Sequence, residues 1–272
     1  MKAGTTWLYG QLSKNPEIYF TPEKELHYFS HIMGRSEHFD RNYRFGRFLS
    51  YLNKVDPNDV PMILLQSRLK WYADFLMNVE EKWWYRRVFD HRGSEKYCAD
   101  FSNLNAFLEP AGWENVKAAS DNLKVLFTMR DPVNRLWSHM RFHNAHSGLN
   151  LDLENMPLNS LKDYALQAHF QFSSDYALTV RNLQAALPPE TYQLSFFETL
   201  HEDPAAWLYK LEAFLDVPHH DYGSETLTNR VNVSRSVKIP PAFSAYMRHY
   251  YQPQIDALHA LGVQTPSAWQ EP

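Results

Sequence analysis

The stretch Lys124-Val-Leu-Phe-Thr-Met-Arg-Asp-Pro132 decides the fold. From Lys124 to Met129 it is a nearly continuous apolar run with the length of a buried parallel strand. Such strands are typical of α/β proteins, in which ligands bind at the carboxyl end of the sheet. The predicted strand ends at Arg130, which therefore lies where a ligand is expected.

A helix is predicted to follow this strand directly. Asp131 is a favourable N-cap residue and Pro132 suits the first helical position, so the helix should run from Val133 to about Ala145. Three of its polar residues fall on one stripe, namely Asn134, Ser138 and Arg141. Arg130 and Ser138 are therefore candidates for binding one phosphate group together.

Further strands and helices alternate along the chain. Strands are predicted at 17–20, 97–100 and 192–197, and helices at 8–14, 36–51, 62–79, 175–187 and 203–214 and after Pro241. This alternation predicts an α/β protein with a mainly parallel central sheet flanked by helices. We expect one domain that spans residues 1–272.

A second motif, Lys2-Ala3-Gly4-Thr5-Thr6-Trp7, precedes the first predicted helix. Gly4 lets the backbone approach an oxyanion, the first N–H groups of the helix are unpaired, and Lys2 adds a positive charge. The threonine hydroxyls are able to donate to phosphate oxygens or to cap the helix. The motif indicates an anion cradle, with an ordinary capped helix start as the alternative.

This cradle is not a Walker A loop, in which the Lys follows the second Gly, so a nucleoside triphosphate is not the expected ligand. A phosphate loop normally follows a buried strand, whereas this motif begins at Lys2. We therefore expect that the first strand is missing from the chain or that the true start lies upstream.

A carboxylate and an imidazole lie two residues apart in Glu25-Leu-His27-Tyr-Phe29. If this segment is extended, alternation puts Glu25, His27 and Phe29 on one side. The pair is able to supply a general base and a neighbour that tunes it. On these residues alone, a solvated Glu and a half-buried His at a strand end are the favoured interpretation.

Composition and charge exclude several classes of protein. The 272 residues include 27 basic and 31 acidic side chains, a net charge of −4, so general nucleic-acid binding is not expected. The single cysteine, Cys98, excludes disulfides within the chain and cysteine zinc clusters. No stretch is apolar enough to span a membrane and no signal peptide is visible, which predicts a cytoplasmic protein.

Other clusters have weaker interpretations. The pairs His27/His31 and His139/His143 have helical spacing without an acidic third ligand, so no metal site is predicted. An aromatic cluster is expected to be mostly core packing, with an acceptor cleft as the alternative; it comprises Trp71, Tyr72, Trp83, Trp84 and Tyr85.

A polar, basic loop at 229–238 includes Ser234, Arg235 and Ser236. It is interpreted as a clamp over a nucleotide, with a solvated surface loop as the alternative.

Taken together, these stretches resemble the sulfotransferases that use 3′-phosphoadenosine 5′-phosphosulfate (PAPS), above all bacterial members and the heparan sulfate enzymes. The segment from Lys2 resembles the 5′-phosphosulfate loop of that family, and Arg130 to Ser138 resembles its 3′-phosphate motif. Glu25-Leu-His27-Tyr-Phe is similar to the Glu-x-His-Phe-Phe stretch of the heparan enzymes, whose Glu is the proposed base. The loop at Ser234 is placed like the cofactor-closing loop, without its Lys-Gly-Arg pattern.

The resemblance implies a P-loop-like α/β fold and transfer of the sulfuryl group from PAPS, without a metal, to a hydroxyl or amine of a saccharide or small metabolite. It implies catalytic roles for Glu25, as base, and for Lys2 and His27. It further implies that PAPS is bound by Lys2, Ala3, Gly4, Thr5, Thr6, Trp7, Arg130, Ser138, Ser234, Arg235 and Ser236.

Two other functions remain open at the level of sequence. A nucleotide-dependent kinase would use the same anion cradle, but it would require magnesium and a Walker-type loop. A non-catalytic relative that binds a nucleotide or glycan would keep the site without turnover. The sequence predicts neither the acceptor nor the oligomeric state.

Overall fold

The computed structural model describes residues 2–34, 39–56, 58–79, 83–228 and 237–269. The strands are β1 (Ile18–Phe20), β2 (Tyr97–Ala99), β3 (Val125–Met129) and β4 (Tyr192–Phe196). The helices are α1 (Thr5–Leu12), α2 (Tyr28–Ile32), α3 (Arg41–Leu52), α4 (Met62–Phe75), α5 (Trp84–Phe89), α6 (Pro110–Ala118), α7 (Pro132–His146), α8 (Leu158–Ala165), α9 (Ala168–Gln171), α10 (Tyr176–Ala186), α11 (Phe197–Glu202), α12 (Pro204–Leu215), α13 (Ser224–Thr228) and α14 (Pro241–Ala260). Short 3-10 helices cover Asn103–Phe107, Phe172–Ser174, Pro189–Thr191 and Ser267–Trp269. None of the helices in these described ranges is long and apolar enough to cross a membrane.

The chain divides into two compact units. Unit 1 contains Met1–Gln11 and Lys124–Pro272, and unit 2 contains Leu12–Leu123. Within the described residues each unit has one parallel pair of strands, β3 with β4 in unit 1 and β1 with β2 in unit 2. Parallel strands that alternate with helices confirm the predicted α/β class. Within the described residues, the strands form two separate pairs, whereas the sequence predicts one central sheet. The organisation of residues 1–272 as a single domain stays a prediction.

Unit 1 is built on β3 and β4, which pair in register from Val125 opposite Tyr192 to Met129 opposite Phe196. Met129 is fully buried against α10 and α14, whereas the rest of β3 is half-buried. The strand itself is confirmed, but the prediction that it is buried throughout is wrong. In the described part of the chain, each strand of this pair has a neighbour on one side only, so both are edge strands.

α7 begins where the sequence predicts, directly after β3. The Asp131 carboxylate accepts a hydrogen bond of 2.7 Å from the backbone N–H of Asn134, and Pro132 takes the first helical position. The other carboxylate oxygen of Asp131 lies 3.2 Å from Nη1 of Arg248 on α14. The chain immediately after Arg130 is therefore held by a helix cap and by an ion pair.

The core of unit 1 also joins α7 to α14. The buried residues in this cluster include Val133, Leu136, Trp137 and Met140 of α7 and Phe243, Met247 and Tyr251 of α14. The indole N–H of Trp137 donates to the backbone oxygen of Val237 over 3.0 Å. α7 thus has a firmly packed inner face, which orients the polar residues on its remaining surface.

Unit 2 has an aromatic core. Trp71, Tyr72 and Trp84 are at most 2% exposed, and Trp71 stacks on Phe75 with 4.8 Å between ring centroids. Trp83, by contrast, is 68% exposed. The prediction that the aromatic cluster is mostly core packing is therefore confirmed.

Two buried charged side chains in unit 2 have hydrogen-bond partners. Arg44 donates from Nη1 to the backbone oxygens of Phe75 and Met77 over 2.5 and 2.6 Å. The Glu23 carboxylate accepts from the Tyr72 hydroxyl and from Nε of Arg47, both at 2.7 Å. The Glu23 contacts fix the chain just before Glu25, since a buried carboxylate is stable only when it is paired.

Cys98 lies on β2 opposite Tyr19 of β1. Its thiol is half-buried, and Nη1 of Arg92 lies 3.8 Å from Sγ. Burial raises the pKa of the thiol above its ordinary value, so it is mainly protonated at neutral pH.

Candidate functional site

The N-terminal motif of unit 1 turns sharply before α1. Lys2 and Gly4 both have positive φ angles, +67° and +80°. A Cβ atom on Gly4 would lie 2.9 Å from Cδ2 of Phe197, so both the backbone conformation and the space require glycine. Ala3 and Trp7 are buried on either side, each 4% exposed, which anchors the turn.

The first residues of α1 follow this turn. Thr5 and Thr6 begin the helix, and the N–H of Leu8 donates to the Gly4 oxygen over 3.1 Å. The N–H groups that precede Leu8 are in the first turn, where an α-helix offers its donors no partners of its own. The segment therefore has the backbone form of an anion-binding helix start.

Arg130 is joined to this turn. Its Nη1 donates to the backbone oxygen of Lys2 over 3.1 Å, and its guanidinium carbon lies 4.3 Å from the ring centroid of Phe197. The hydroxyl of Tyr176 donates to the Arg130 backbone oxygen over 2.8 Å. Phe197 thus supports both Gly4 and Arg130, and it connects the two predicted halves of the cofactor site.

The electrostatics of this region favour an anion. Burial and the positive charges of Arg130 and Arg141 lower the pKa of Lys2, and the Lys2 ammonium lies 4.4 Å from the ring centroid of Phe142. Burial also lowers the pKa of Arg130, against the opposing charges of Glu198 and Asp131. Among the described residues, the buried Nε of Arg130 has no hydrogen-bond partner. The positive charges of Lys2, Arg130 and Arg141 and the unsatisfied donor of Arg130 are features that a bound oxyanion would stabilise.

Ser138 lies on α7, half-buried, two helical turns after Arg130. The binding of one phosphate by Arg130 and Ser138 together stays a prediction. The predicted clamp residues Ser234, Arg235 and Ser236 lie outside the described residues.

Glu25 and His27 belong to unit 2, and their segment is not extended, so the predicted alternation is wrong. His27 has a left-handed backbone (φ +54°) as the N-cap of α2, and Phe29 is inside that helix. Glu25 and His27 are nevertheless close, with 3.1 Å between Oε2 and Nε2. The turn at His27, rather than strand periodicity, accounts for this contact.

The surroundings of Glu25 favour its ionised form. Burial by itself would raise the pKa of Glu25, but the hydrogen bond from His27 and the charges of His27 and Lys24 outweigh it, so the pKa is lowered. Asn103 donates from Nδ2 to Oε2 over 3.0 Å, and 28% of the Glu25 side chain remains exposed. Glu25 is therefore a partly accessible carboxylate that is able to accept a proton.

Sequence reasoning missed four residues around these groups: Phe142, Phe197, Ser102 and Asn103. The aromatic pair contacts the cations of unit 1, and the polar pair contacts Glu25 and His27 in unit 2. Each lies far along the chain from the residue that it contacts, so no local pattern could have indicated it.

The histidine pairs have other contacts. Nδ1 of His143 lies 2.8 Å from the Tyr164 hydroxyl, and His139 is buried beside Arg135 with 3.5 Å between Nδ1 and Nη1. Burial and the charge of Arg135 lower the pKa of His139 to about 3. Within the described ranges, no group of three His, Cys, Asp or Glu side chains is placed to hold a metal ion.

The sequence matches the family model of the sulfotransferase domain over residues 1–236. The chain therefore belongs to the sulfotransferase domain family, and the family and enzyme class predicted from the motifs are confirmed. No curated protein sequence matches the chain significantly.

Solved structures support the same fold. A sulfotransferase from Alicyclobacillus acidocaldarius is similar with a TM-score of 0.66 and 22% identity, over 99% of this chain and 95% of that chain. The sulfotransferase domain of the Synechococcus PCC 7002 olefin synthase has a TM-score of 0.52 and 16% identity, over 97% and 92% of the two chains. The sulfotransferase domain from the curacin biosynthetic pathway has a TM-score of 0.53 and 14% identity, over 97% and 95%. At these identities the similarity establishes the fold.

Proposed function

We propose that this sulfotransferase transfers the sulfuryl group from PAPS to a hydroxyl or amine of a saccharide or small metabolite. Family membership supports the reaction class, because sulfotransferases generally use PAPS. The observation that carries the choice of donor is the contact between Arg130 and Lys2 beside Gly4. It joins Arg130 to the main chain of Lys2 at the start of α1, so two cationic residues and a helix start belong to one region of unit 1. A ligand with two anionic groups requires such a region.

The residues present fit such a donor. Lys2, the amides of residues 3–6 and the hydroxyls of Thr5 and Thr6 are proposed to bind the 5′-phosphosulfate group. Arg130, with its unsatisfied Nε, and Ser138 are proposed to bind the 3′-phosphate. Trp7 supports the loop from the core, and Ser234, Arg235 and Ser236 are proposed to close over the nucleotide.

In the proposed mechanism, Glu25 removes the proton from the acceptor hydroxyl, whose oxygen then forms a bond to sulfur. The bond between sulfur and the phosphate oxygen breaks, which leaves adenosine 3′,5′-bisphosphate. PAPS supplies the activated sulfuryl group. Lys2 and the loop amides stabilise negative charge on the transferring oxygens and the leaving phosphate. His27 holds and tunes the Glu25 carboxylate through its 3.1 Å contact.

Calorimetric titration of adenosine 3′,5′-bisphosphate in the presence of EDTA tests the donor site. We expect binding without magnesium, weakened about tenfold to hundredfold in Arg130→Ala, because a charge-assisted hydrogen bond is lost. The control is Arg181→Ala, an exposed arginine of α10 in the same unit. Absence of binding by the unaltered chain would overturn the proposal.

Turnover is tested with radiolabelled PAPS and a panel of sugars, small alcohols and amines. Sulfated product that disappears in Glu25→Gln supports the proposed base. Binding of the bisphosphate without transfer to any acceptor would favour a non-catalytic relative. Magnesium-dependent transfer of phosphate from ATP would favour a kinase.

A further inference from the structure

The turn after β2 contacts both members of the Glu25–His27 pair. Asn103 donates from Nδ2 to Oε2 of Glu25 over 3.0 Å. Ser102 accepts, on its hydroxyl oxygen, a 2.7 Å hydrogen bond from the backbone N–H of His27. The two contacts join residues that are 78 and 75 positions apart in the sequence. A distant segment of the chain therefore supports the Glu25–His27 pair.

The two oxygens of the Glu25 carboxylate are held differently. Oε2 faces two donors, Nδ2 of Asn103 at 3.0 Å and Nε2 of His27 at 3.1 Å. Oε1 faces Nζ of Lys24 at 3.6 Å, which is longer than a normal hydrogen bond. Oε2 is therefore the anchored oxygen, and Oε1 is the oxygen that remains able to take a proton.

The backbone of His27 needs a support of its own. A left-handed conformation is unusual for a residue other than glycine, and it persists where the surroundings fix it. The Ser102 hydroxyl donates its proton to Oδ1 of Asp100. A lone pair of the Ser102 oxygen therefore faces the N–H of His27. The backbone N–H of Ser102 donates to the same Asp100 oxygen over 2.9 Å, and the Tyr85 hydroxyl donates to Oδ2 over 3.1 Å.

We infer that the turn Asp100-Phe-Ser-Asn103 positions Glu25, the catalytic base. Asn103 holds Oε2 of Glu25, so that Oε1 faces the acceptor hydroxyl. Asp100 and Ser102 together hold the backbone of His27. The inference rests on the proposed function, because it requires Glu25 to be the base. None of these turn residues touches the reacting atoms, so they are positioning residues.

The first test uses Asn103→Leu, which removes the amide but keeps the branched shape of the side chain, and Asn103→Asp, which has the size of asparagine. We expect Asn103→Leu to lower kcat about tenfold to hundredfold, while the KM for PAPS changes little, because a hydrogen bond to a charged group is lost. In Asn103→Asp a second carboxylate faces Glu25, so the acidic limb of the kcat profile should move to higher pH.

The matched control is Asn105→Leu. Asn105 lies on the same 3-10 helix and accepts from the Ser30 hydroxyl over 3.2 Å. The same substitution there should leave kcat and its pH profile unchanged. An equal loss in Asn103→Leu and Asn105→Leu would mean that the helix acts only through folding, and it would overturn the inference.

Ser102 supplies a test by rescue. Ser102→Ala removes the acceptor for the buried His27 N–H and should lower kcat, whereas Ser102→Thr keeps a hydroxyl and should restore most of it. Thermal melting of each variant separates loss of activity from loss of fold. Equal activity of the Ala and Thr variants at equal stability would overturn the clamp.

Glu25→Gln separates the inference from the proposed function. If this variant keeps full activity, the assigned base is wrong and the proposed function fails at that step. If Glu25→Gln is inactive while Asn103→Leu and Asn103→Asp behave as the unaltered enzyme, the proposed function stands and the positioning role is wrong.

Discussion

Nη1 of Arg130 donates to the backbone oxygen of Lys2 over 3.1 Å. The contact uses the main chain of Lys2 and leaves its ammonium group over the ring of Phe142. The two cations are therefore tied together structurally while their charged groups stay distinct. Substitutions at the two positions should have different kinetic effects.

Arg130→Ala should act mainly on binding. We expect the KM for PAPS to rise about tenfold to hundredfold, while kcat changes only a fewfold. The reason is that a cation that binds the 3′-phosphate stabilises the ground state and the transition state equally. Steady-state kinetics at saturating acceptor measures both parameters. Arg181→Ala serves as control, and a loss confined to kcat would contradict the assignment.

Lys2→Ala should act mainly on turnover. The Ala variant keeps the backbone oxygen that Arg130 binds, so the site should persist while kcat falls about a hundredfold or more from the loss of transition-state charge stabilisation. Calorimetry with adenosine 3′,5′-bisphosphate checks that binding is retained. If Lys2→Ala and Arg130→Ala lose both parameters equally, the proposed division of roles is wrong.

Gly4→Ala should destabilise unit 1 and abolish the anion site. The positive φ and the 2.9 Å approach to Phe197 together cost about 1–3 kcal/mol. Gly10→Ala is the matched control, because Gly10 lies inside α1 with open space around its Cβ position. That variant should be more stable by about 0.5–1 kcal/mol. Denaturant unfolding measures both, and equal midpoints would contradict the prediction.

His139 should make the fold sensitive to acid. Its folded-state pKa of about 3 lies below the ordinary 6.5, because burial and then the charges of Arg135, His169 and Lys2 disfavour the imidazolium. The unfolded chain thus binds the extra proton, and stability falls as pH drops from about 6.5 towards 3. The slope is at most about 1.4 kcal/mol per pH unit for this group.

His139→Gln should flatten that slope, because glutamine does not titrate. Denaturant unfolding at several pH values between 4 and 7 measures it. His249→Gln, at an exposed site on α14, is the control and should keep the slope. An unchanged slope in His139→Gln would assign the acid sensitivity to other groups.

Local signals explain what could be predicted. β3 and α7 follow from a strand pattern, an Asp cap and a first-turn Pro within a short stretch, and all three are present in the structure. Interactions between neighbours along the chain determine such elements. The sharp turn before α1 likewise follows from the glycine at position 4, and the binding of an anion there stays a prediction.

Longer-range packing explains what could not. Glu25 and His27 are close, as predicted, but through a left-handed turn that strand periodicity does not indicate. Asn103 lies 78 residues from Glu25. Phe197 likewise lies far along the chain from Gly4 and from Arg130, the two groups that it supports. Such contacts arise only when the chain is folded, and a single sequence carries no pattern for them.

Cys98, the single cysteine of the chain, provides a chemical probe of the β1–β2 strand pair. Cys98 lies in the β1–β2 pair and is half-buried, so we expect its reaction with a maleimide or disulfide reagent to be faster when the pair opens than when it is closed. Unit 1 has no cysteine, and every labelling event therefore belongs to unit 2. The rate of Cys98 labelling, measured with and without nucleotide, therefore reports the opening of the β1–β2 pair in unit 2 and is not affected by labelling in unit 1.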